Sequence, residues 1–476
     1  MKSEKLQKAI GKLDDDLIEA ADQAPGKANG RRIWTRLGLA AACLVLAFAA
    51  VGLPKLLSRP GTTPGAQPTG TQPAISSTAS LHEGQPDEST RAVLLSAVVN
   101  AKPLGFSAFD NQLVEYLKQT GKADENFTVS PLSFKAALTM TVLGAEGETQ
   151  SQLLDALGFQ NADELRAWYA TVLAGVDGFA EFFERMEQYN ENPLFFSGHK
   201  EITSAYQVVN SVWSNQDLPG AFRQSFLDDI ARTCYAEACS ARAAELANAV
   251  NAWVREKTRG LIPSILNDAS KVSAVLVNAL YLKTGWEDNF WKLGEQDFTT
   301  VSGETVQKPF MQQTNRMRYY QDEQTQLVSV PLEGGVSMVF VLGEDAGLAD
   351  KLYKAESRMV EVTVPMFDVE TSLNQKELVN YLKLMGCDRL FDPETAELDP
   401  MYTDSLYVED IVQKAKVHID EEGLEAAAVT AMTAVTGGIM PEPEEPAIFC
   451  ADRPFSFYVL MEGETPELLF WGQIIR

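Results

Sequence analysis

The residues whose types and spacing are most informative lie between Asp420 and Phe455, near the end of the sequence. From Leu424 onward, every second residue is small or apolar and none is charged; this set is Leu424, Ala426, Ala428, Thr430, Met432 and Ala434. Because successive side chains of a strand point to opposite faces, one face could be buried while Glu425 on the other meets water. The chemistry that this pattern offers is backbone hydrogen bonding, as a strand that could join a sheet.

A second interpretation of the same segment stays open. Glu425 and the alanines after it are good helix formers, so an Ala-rich helix is an alternative. Gly423 before the run and the β-branched Val429 and Thr430 within it favour a strand. Residues 436–446 contain two glycines, three prolines and three glutamates, which is the composition of a loop. A segment acceptable as coil, helix or buried strand is what a conformational switch requires.

The sequence lacks several common motifs for catalysis and nucleotide binding. The three histidines are His82, His199 and His418, and none belongs to an H-E-x-x-H pattern. The sequence contains no G-x-S-x-G, P-loop or G-x-G-x-x-G motif. It therefore offers no case for an enzyme, and we expect neither a metal nor a cofactor.

Composition narrows the remaining classes. The chain has 476 residues, of which 45% are hydrophobic, so it can bury a large globular core. Its net charge of -26 leaves no basic field for phosphates, which argues against nucleic acid as a partner. The five cysteines form no disulfide framework. Cys234 and Cys239, predicted on one helix, have poor spacing for zinc.

The segment around the alternating run resembles the reactive-centre loop of the serpin family. Residues 421–428 match the hinge pattern E-E-G-x-E-A-A-A, and residues 449–455 match F-x-A-D-R-P-F. Further matches follow in family order over roughly the last four-fifths of the chain. They are N-x-x-x-S-P-x-S at 126–133, N-x-x-W at 210–213, N-x-W-V with T-x-G-x-I at 251–262, L-V-N-A-x-Y with its following aromatics at 276–290, and L-F-W-G at 469–472.

This resemblance implies an α+β fold with a large central, mostly antiparallel sheet, surrounding helices and an exposed reactive-centre loop. Intermixed elements without steady βαβ alternation agree with that class. Helices are predicted at 106–119 and 133–143, and residues 179–200, which lack a family counterpart, are predicted to be an inserted loop. Strands are predicted at 208–213, 274–282, 327–332, 337–342 and 360–364.

The resemblance further implies a suicide inhibitor of proteases. A protease would attack the loop and form an acyl-enzyme. The cut loop would then enter the central sheet through its hinge and distort the tethered protease. The hinge residues are Glu421, Glu422, Gly423, Leu424, Glu425, Ala426, Ala427, Ala428, Val429 and Thr430.

The position of the cut and the type of target follow from the same loop. Counting as the family does places the scissile bond at Gly437-Gly438, with Val435, Thr436 and Ile439 as neighbouring candidates. No Lys or Arg occurs from Leu424 through Cys450, which disfavours a trypsin-like target. Small apolar residues suit an elastase-like serine protease, with subtilisin-like and papain-like proteases as alternatives. The inhibitor is expected to be a monomer that forms a covalent complex with its target.

The family also implies where the sheet opens. Ser130, Ser133 and Asn278 would lie beneath the opening strands, and Gln413 stands where the family usually has a histidine. Glutamine exchanges hydrogen bonds but does not titrate near neutrality, so pH-gated opening through this position is in doubt. Trp286 matches the tryptophan where the loop enters the sheet, which is compatible with an ordinary role in the core.

The first part of the sequence predicts that the chain is anchored in a membrane. Residues 1–32 would be a cytoplasmic tail, 33–57 a transmembrane signal anchor, 58–92 a flexible Pro/Gly/Ser/Thr linker, and 93–476 the serpin domain. Basic residues before the apolar run place the large domain outside a cell membrane crossed once. A cleaved signal peptide followed by secretion, and a buried core helix, are the alternatives.

Two other functional classes remain open from the sequence. One is a non-inhibitory serpin-like module that binds ligands or assists folding at the cell surface. The other is a membrane-tethered hydrolase. The uncharged alternate face of the hinge favours the inhibitor, because a buried unpaired charge would oppose insertion.

Overall fold

The computed structural model describes most of the chain after Ser107. The described residues are 107–122, 124–190, 204–269, 271–373, 375–408, 411, 413–424, 445–463 and 466–476. All belong to the second of two compact units, Thr71–Arg476. The predicted membrane anchor and linker, the hinge from Glu425 to Thr430, and the scissile-bond candidates Val435, Thr436, Gly437, Gly438 and Ile439 lie outside the described residues. Among the described helices, none combines the length and apolar character needed to cross a membrane.

Eight α-helices occur within the described ranges, together with a short π-helix at Lys118–Lys122 and a 3-10 helix at Arg389–Phe391. The α-helices are α1 (Ala108–Leu117), α2 (Pro131–Leu143), α3 (Gly147–Leu157), α4 (Ala162–Asn190), α5 (Gln224–Cys234), α6 (Ala243–Lys257), α7 (Leu348–Lys354) and α8 (Gln375–Leu384).

The strands follow the helices in an intermixed order. They are β1 (Phe127–Val129), β2 (Ala205–Asn215), β3 (Glu237–Ala241), β4 (Ala274–Gly285), β5 (Trp291–Thr299), β6 (Thr305–Gln321), β7 (Thr325–Leu332), β8 (Val336–Gly343), β9 (Glu356–Pro365), β10 (Phe367–Leu373), β11 (Gln413–Ile419), β12 (Gly423–Leu424), β13 (Ala447–Cys450), β14 (Phe455–Met461) and β15 (Glu467–Ile474). The five strands predicted from sequence fall within β2, β4, β7, β8 and β9.

The strands form two sheets. The nine-stranded sheet has the order β1-β15-β14-β8-β7-β6-β9-β13, with β5 paired to β6. The six-stranded sheet has the order β10-β11-β12-β4-β2-β3. Its pairings are antiparallel except for β2 with β3. The predicted α+β class with a large, mostly antiparallel sheet is confirmed.

Helix α2 passes through the core between the two sheets. It contacts β15 of the nine-stranded sheet and β4 of the six-stranded sheet, and nearly all of its side chains are buried. A helix whose apolar residues are spread around all of its sides is suited to this position. Ser130 caps the helix by accepting from the backbone N–H of Ser133 at 3.1 Å, and Pro131 occupies the first turn. The cap fixes both serines at the point where α2 meets β11.

The predicted loop at 179–200 is wrong for residues 179–190, because α4 continues to Asn190. Phe179 and Phe183 lie one helical turn apart, with ring centroids 4.8 Å from each other. Phe179 also packs against Tyr206 of β2, at 5.9 Å between centroids. The aromatic residues that lacked a family counterpart therefore extend a helix over the six-stranded sheet.

The prediction that Cys234 and Cys239 share a helix is also wrong. Cys234 is the last residue of α5, and Tyr235 follows in the left-handed conformation with φ of 50°. The chain then turns into β3, which contains Cys239. Both cysteines are buried and free.

Candidate hinge and sheet-opening site

Strand β12 consists of Gly423 and Leu424 and joins the two halves of the six-stranded sheet. Leu424 pairs antiparallel with Thr284 of β4 on one side and with Ile419 of β11 on the other. Within the described residues, β4 and β11 are connected in this sheet only through β12. Leu424 is 3% exposed, so its side chain lies on the core face. The first residues of the hinge therefore already occupy the position between β4 and β11.

Glycine is required at position 423 by both the backbone and the space around it. Its φ is 154°, a conformation that residues with a side chain rarely adopt. A Cβ at this position would lie 2.3 Å from the carbonyl oxygen of Thr284 and 2.7 Å from the Cα of Gly285. Both neighbours are backbone atoms of β4, so a side chain could fit only if the strands separated.

Asp420, Glu421 and Glu422 form the turn that leads from β11 into β12, hereafter the hinge turn. The Asp420 carboxylate accepts through Oδ1 from the backbone N–H of Glu422 at 2.9 Å and of Gly423 at 3.2 Å. The N–H of Asp420 donates to the carbonyl of Gly423 at 3.1 Å. An aspartate that binds backbone groups two and three residues later is a common way to fix a tight turn.

The segment that follows β4 donates hydrogen bonds to all three backbone carbonyl groups of the hinge turn. Trp286 is fully buried and donates its indole Nε1–H to the carbonyl of Asp420 at 2.9 Å. The backbone N–H of Trp286 donates to Glu422, and that of Phe290 donates to Glu421, each at 3.2 Å. The rings of Trp286 and Phe290 are 5.0 Å apart. Trp286 therefore lies where the hinge enters the sheet and also contributes to the core.

An ion pair adds a contact between the hinge turn and β5. The Nζ of Lys292 lies 2.6 Å from Oε1 of Glu421. The hydrogen bond and charge of Glu421, with smaller contributions from Asp420 and Glu422, raise the pKa of Lys292. The Lys292 side chain is well exposed, so salt screens this attraction.

Gln413 and Ser130 close the opposite end of β11 against helix α2. The Gln413 amide donates to the backbone carbonyl of Ser130 at 2.8 Å and accepts from its N–H at 3.3 Å. The Ser130 hydroxyl donates to the carbonyl of Leu469 at 2.7 Å and caps Ser133. The structure thus brings together Ser130, Ser133 and Gln413.

Asn278 is not part of that cluster. Its amide N–H group donates to Oδ1 of Asn210 at 2.8 Å, and Asn210 in turn donates to the hydroxyl of Tyr169 at 2.8 Å. The buried Oδ1 of Asn278 has no hydrogen-bond partner among the described residues. Asn278 therefore belongs to a polar chain on the β2 side of the opening, separate from Gln413 on the β11 side.

Three residues of this site lie outside the set predicted from sequence. They are Asp420, which fixes the hinge turn, Lys292, which pairs with Glu421, and Asn210, which binds Asn278. Asp420 precedes Gly423 at turn spacing, a signal that the sequence does contain. The partners of Lys292 and Asn210 are distant in sequence and depend on the fold. No group of three or more potential metal ligands is found within the described part of the chain.

The comparisons with known proteins agree with the geometry. A model of the serpin family, serine protease inhibitors, matches residues 106–476. An uncharacterized serpin-like protein of Thermococcus kodakarensis is 27% identical over 395 residues, which is 78% of this chain and 85% of that protein. The leukocyte elastase inhibitor of Equus caballus is 27% identical over 382 residues, 73% of this chain and 92% of that protein.

A similar fold occurs among solved structures. The native state of tengpin, a thermophilic serpin, superimposes with a TM-score of 0.62 at 22% identity, covering 84% of this chain and all of that one. The family model covers well over half of the chain. This chain belongs to the serpin family.

Proposed function

We propose that the chain is a suicide-substrate inhibitor of serine proteases. The nucleophile of the protease would attack a peptide bond of the loop and form an acyl-enzyme. The released hinge would then enter between β4 and β11 as a full strand before the acyl group is hydrolysed. The observation that carries this proposal is β12, because its residue Leu424 already pairs with both neighbours that the inserted strand would have.

The register of β12 supports insertion of the rest of the hinge. Continued along β4 and β11, it would place Ala428 opposite Leu280 and Ala415, both of which are buried. Thr430 would then lie opposite Asn278 and Gln413. Its hydroxyl could donate to Oδ1 of Asn278, which has no partner among the described residues. The inserted strand would therefore meet an apolar surface and then a polar pair suited to a threonine.

Insertion of the hinge as a strand is expected to lower the free energy of the chain. Each new ladder hydrogen bond contributes about 0.5–1.5 kcal/mol net, and roughly a dozen residues could gain one. Burial of small side chains adds about 25 cal/mol per Å². A charge at an inward position would oppose these gains by several kcal/mol.

The loop composition supports an elastase-like serine protease as the target. The scissile bond would be Gly437-Gly438 or a bond next to it, at Val435, Thr436 or Ile439. The absence of Lys and Arg from Leu424 through Cys450 leaves nothing for a pocket that binds a cation. One similar protein is named a leukocyte elastase inhibitor, which is in keeping with this choice.

We also propose that the inhibitor acts at the outer surface of a cell membrane. The apolar run within 33–57 would span the bilayer once, and residues 58–92 would tether the serpin domain. Secretion after signal cleavage is the competing arrangement. Extraction of cell membranes with sodium carbonate separates the two, because an integral anchor stays in the pellet whereas a secreted form appears in the medium.

Incubation of the purified chain with elastase tests the inhibitory function. We expect a complex that survives a denaturing gel. Ala428→Asp, which would face Leu280 and Ala415, should turn the chain into a substrate that is cleaved without trapping.

Ala427→Asp is the matched control for that variant. It would face the opposite side of the sheet, near Lys416, and should still trap the protease. Cleavage of the unmodified chain without any stable complex would instead favour a non-inhibitory, ligand-binding or folding-assistant role. The proposal would be refuted if elastase formed no stable complex with the chain and subtilisin-like and papain-like enzymes formed none either.

A further inference from the structure

His418 is the penultimate residue of β11, two positions before Asp420, where the hinge turn begins. Its Nε2 is 3.9 Å from Oδ2 of Asp420, and its Nδ1 is 3.8 Å from Oδ2 of Asp368. Asp368 is its direct cross-strand partner on β10. The imidazole therefore lies between a carboxylate of the edge strand and the carboxylate that fixes the hinge turn.

The two oxygens of Asp420 have separate tasks. Oδ1 accepts from the backbone N–H groups of Glu422 and Gly423, whereas Oδ2 is the oxygen nearest His418. The Asp420 carbonyl in addition accepts from Trp286. A positive charge on His418 would hold the Asp420 carboxylate in the position from which it binds the turn.

We propose that His418 is a positioning residue that acts through Asp420, so that protonation of its imidazole holds Gly423 and Leu424 more firmly between β4 and β11. The consequence for inhibition rests on the proposed function, because a retained hinge gives insertion a strand that is already started. The structural part, pH-dependent retention of the hinge, does not require any protease.

The charges around His418 set the direction of this dependence. Among the described residues, the charged groups that face it are Asp420 of the hinge turn, Asp368 of β10 and Lys416 of its own strand, which lies 3.2 Å from Asp368. The interaction with Asp420 raises the pKa of His418, Asp368 adds to this, and partial burial and Lys416 oppose it. Although burial raises the pKa of Asp420, His418 and the backbone N–H groups of Glu422 and Gly423 lower it overall.

The sign of the pH effect follows from these shifts. His418 binds its proton more tightly when it is paired with the hinge turn than when the turn is open. The stabilisation is therefore fully present below the ordinary histidine pKa of about 6.5 and is lost as the pH rises through the higher, paired pKa. The side chain is 40% exposed, so the effect is modest, of the order of a two- to five-fold change in hinge opening.

Amide hydrogen exchange of the full-length chain tests the proposal. Exchange of residues 413–424 is compared with that of β8 between pH 5.5 and 8.5, after correction for intrinsic chemical exchange. We expect hinge protection to fall about two- to five-fold as the pH rises. In His418→Gln it should remain at the high-pH level throughout.

Asp368→Asn is the matched control, because it removes the other carboxylate partner and leaves the link to Asp420. It should keep the pH dependence, with a midpoint at lower pH. Equal pH dependence in His418→Gln and the unmodified chain would overturn the proposal, as would a hinge whose protection does not change with pH.

A second measurement connects the hinge to inhibition. For each chain, the fraction that elastase cleaves without being trapped is measured. The value for His418→Gln is divided by the value for the unmodified chain at the same pH, because this ratio cancels the pH profile of the protease. The ratio should exceed one near pH 6 and approach one above pH 8. If hinge protection depended on pH as expected but the chain trapped no elastase at any pH, the inhibitory function would be refuted. The role of His418 at the hinge would remain.

Discussion

The indole N–H of Trp286 donates to the backbone carbonyl of Asp420 at 2.9 Å, although the two residues are 134 positions apart in the sequence. Trp286 directly follows β4, and Asp420 directly follows β11. The bond therefore joins the ends of the two strands between which the hinge enters. We therefore expect loss of this bond to loosen the entry point around β12.

Trp286→Phe should loosen the hinge with a small loss of overall stability. Phenylalanine keeps a large ring beside Phe290 but removes the donor, leaving the Asp420 carbonyl without this partner. We expect the free energy of unfolding in urea to fall by about 1–3 kcal/mol. Amide exchange of residues 413–424 should accelerate more than exchange of the nine-stranded sheet.

Trp213→Phe is a matched control for that variant. Trp213 is also buried, and its Nε1–H donates to the Ser211 hydroxyl at 2.8 Å, far from the hinge turn. It should lose similar stability without selective exchange at the hinge. Indistinguishable exchange patterns in the two variants would show that Trp286 has no special connection to the entry point.

Gly423→Ala should expel β12 from the sheet. The added Cβ would clash with the Thr284 carbonyl and would require a backbone conformation that costs about 1–3 kcal/mol. Limited proteolysis of the loop should become faster, and the chain should melt at a lower temperature. Gly178→Ala is the control, because nothing lies within 4 Å of the added atom and the site is inside α4, where alanine is favoured.

Much of this site could be predicted from local sequence. The alternating run at 424–434 contains Leu424 at an inward position, and the described structure buries that residue. The strands at 208–213 and 274–282 followed from runs of β-branched and apolar residues. The entry position of Trp286 came instead from the resemblance to the serpin family, whose tryptophan it matches.

Other parts depend on contacts between residues far apart in the chain. The bond between Asn278 and Asn210 depends on the pairing of β2 with β4, whose register places the two residues opposite each other. The continuation of α4 through Phe183 depends on Tyr206, which provides the surface that the aromatic residues cover. The end of α5 at Tyr235, in the left-handed conformation, could not be predicted because no glycine or proline marks it in the sequence.

Lys135→Met should destabilise the fold strongly. Lys135 is fully buried, with Nζ 3.0 Å from Asp110 and 2.7 Å from Glu467. Burial raises the pKa of Asp110 to about 6 against the attraction of Lys135, and Glu467 adds to the rise. Removal of the cation leaves buried carboxylates unpaired, so we expect a loss of about 3–5 kcal/mol in urea unfolding at neutral pH.

The pH dependence of that loss provides an internal check. Without Lys135, the folded pKa of Asp110 should rise further above its unfolded value, so the deficit should shrink at low pH and grow as the pH rises through the folded pKa. Lys122→Met, which removes a partly exposed pair with Glu125, should cost at most about 1 kcal/mol at any pH. Equal costs for both lysines would mean that the buried cluster is not held by its charges.

Cleavage of the reactive loop should raise the melting temperature of the chain. A cut near Gly437 would free the hinge to extend β12 along β4 and β11, gaining about 0.5–1.5 kcal/mol for each ladder hydrogen bond. For a domain of this size each kcal/mol corresponds to a few degrees, so the cleaved chain should melt at least about 10 °C higher in calorimetry. Ala428→Asp, cut at the same bond, should gain much less because its inward charge opposes the contact with Leu280 and Ala415. If the intact and cleaved chains melted together, the native sheet would hold no stored driving force, and trapping by insertion would have no thermodynamic source.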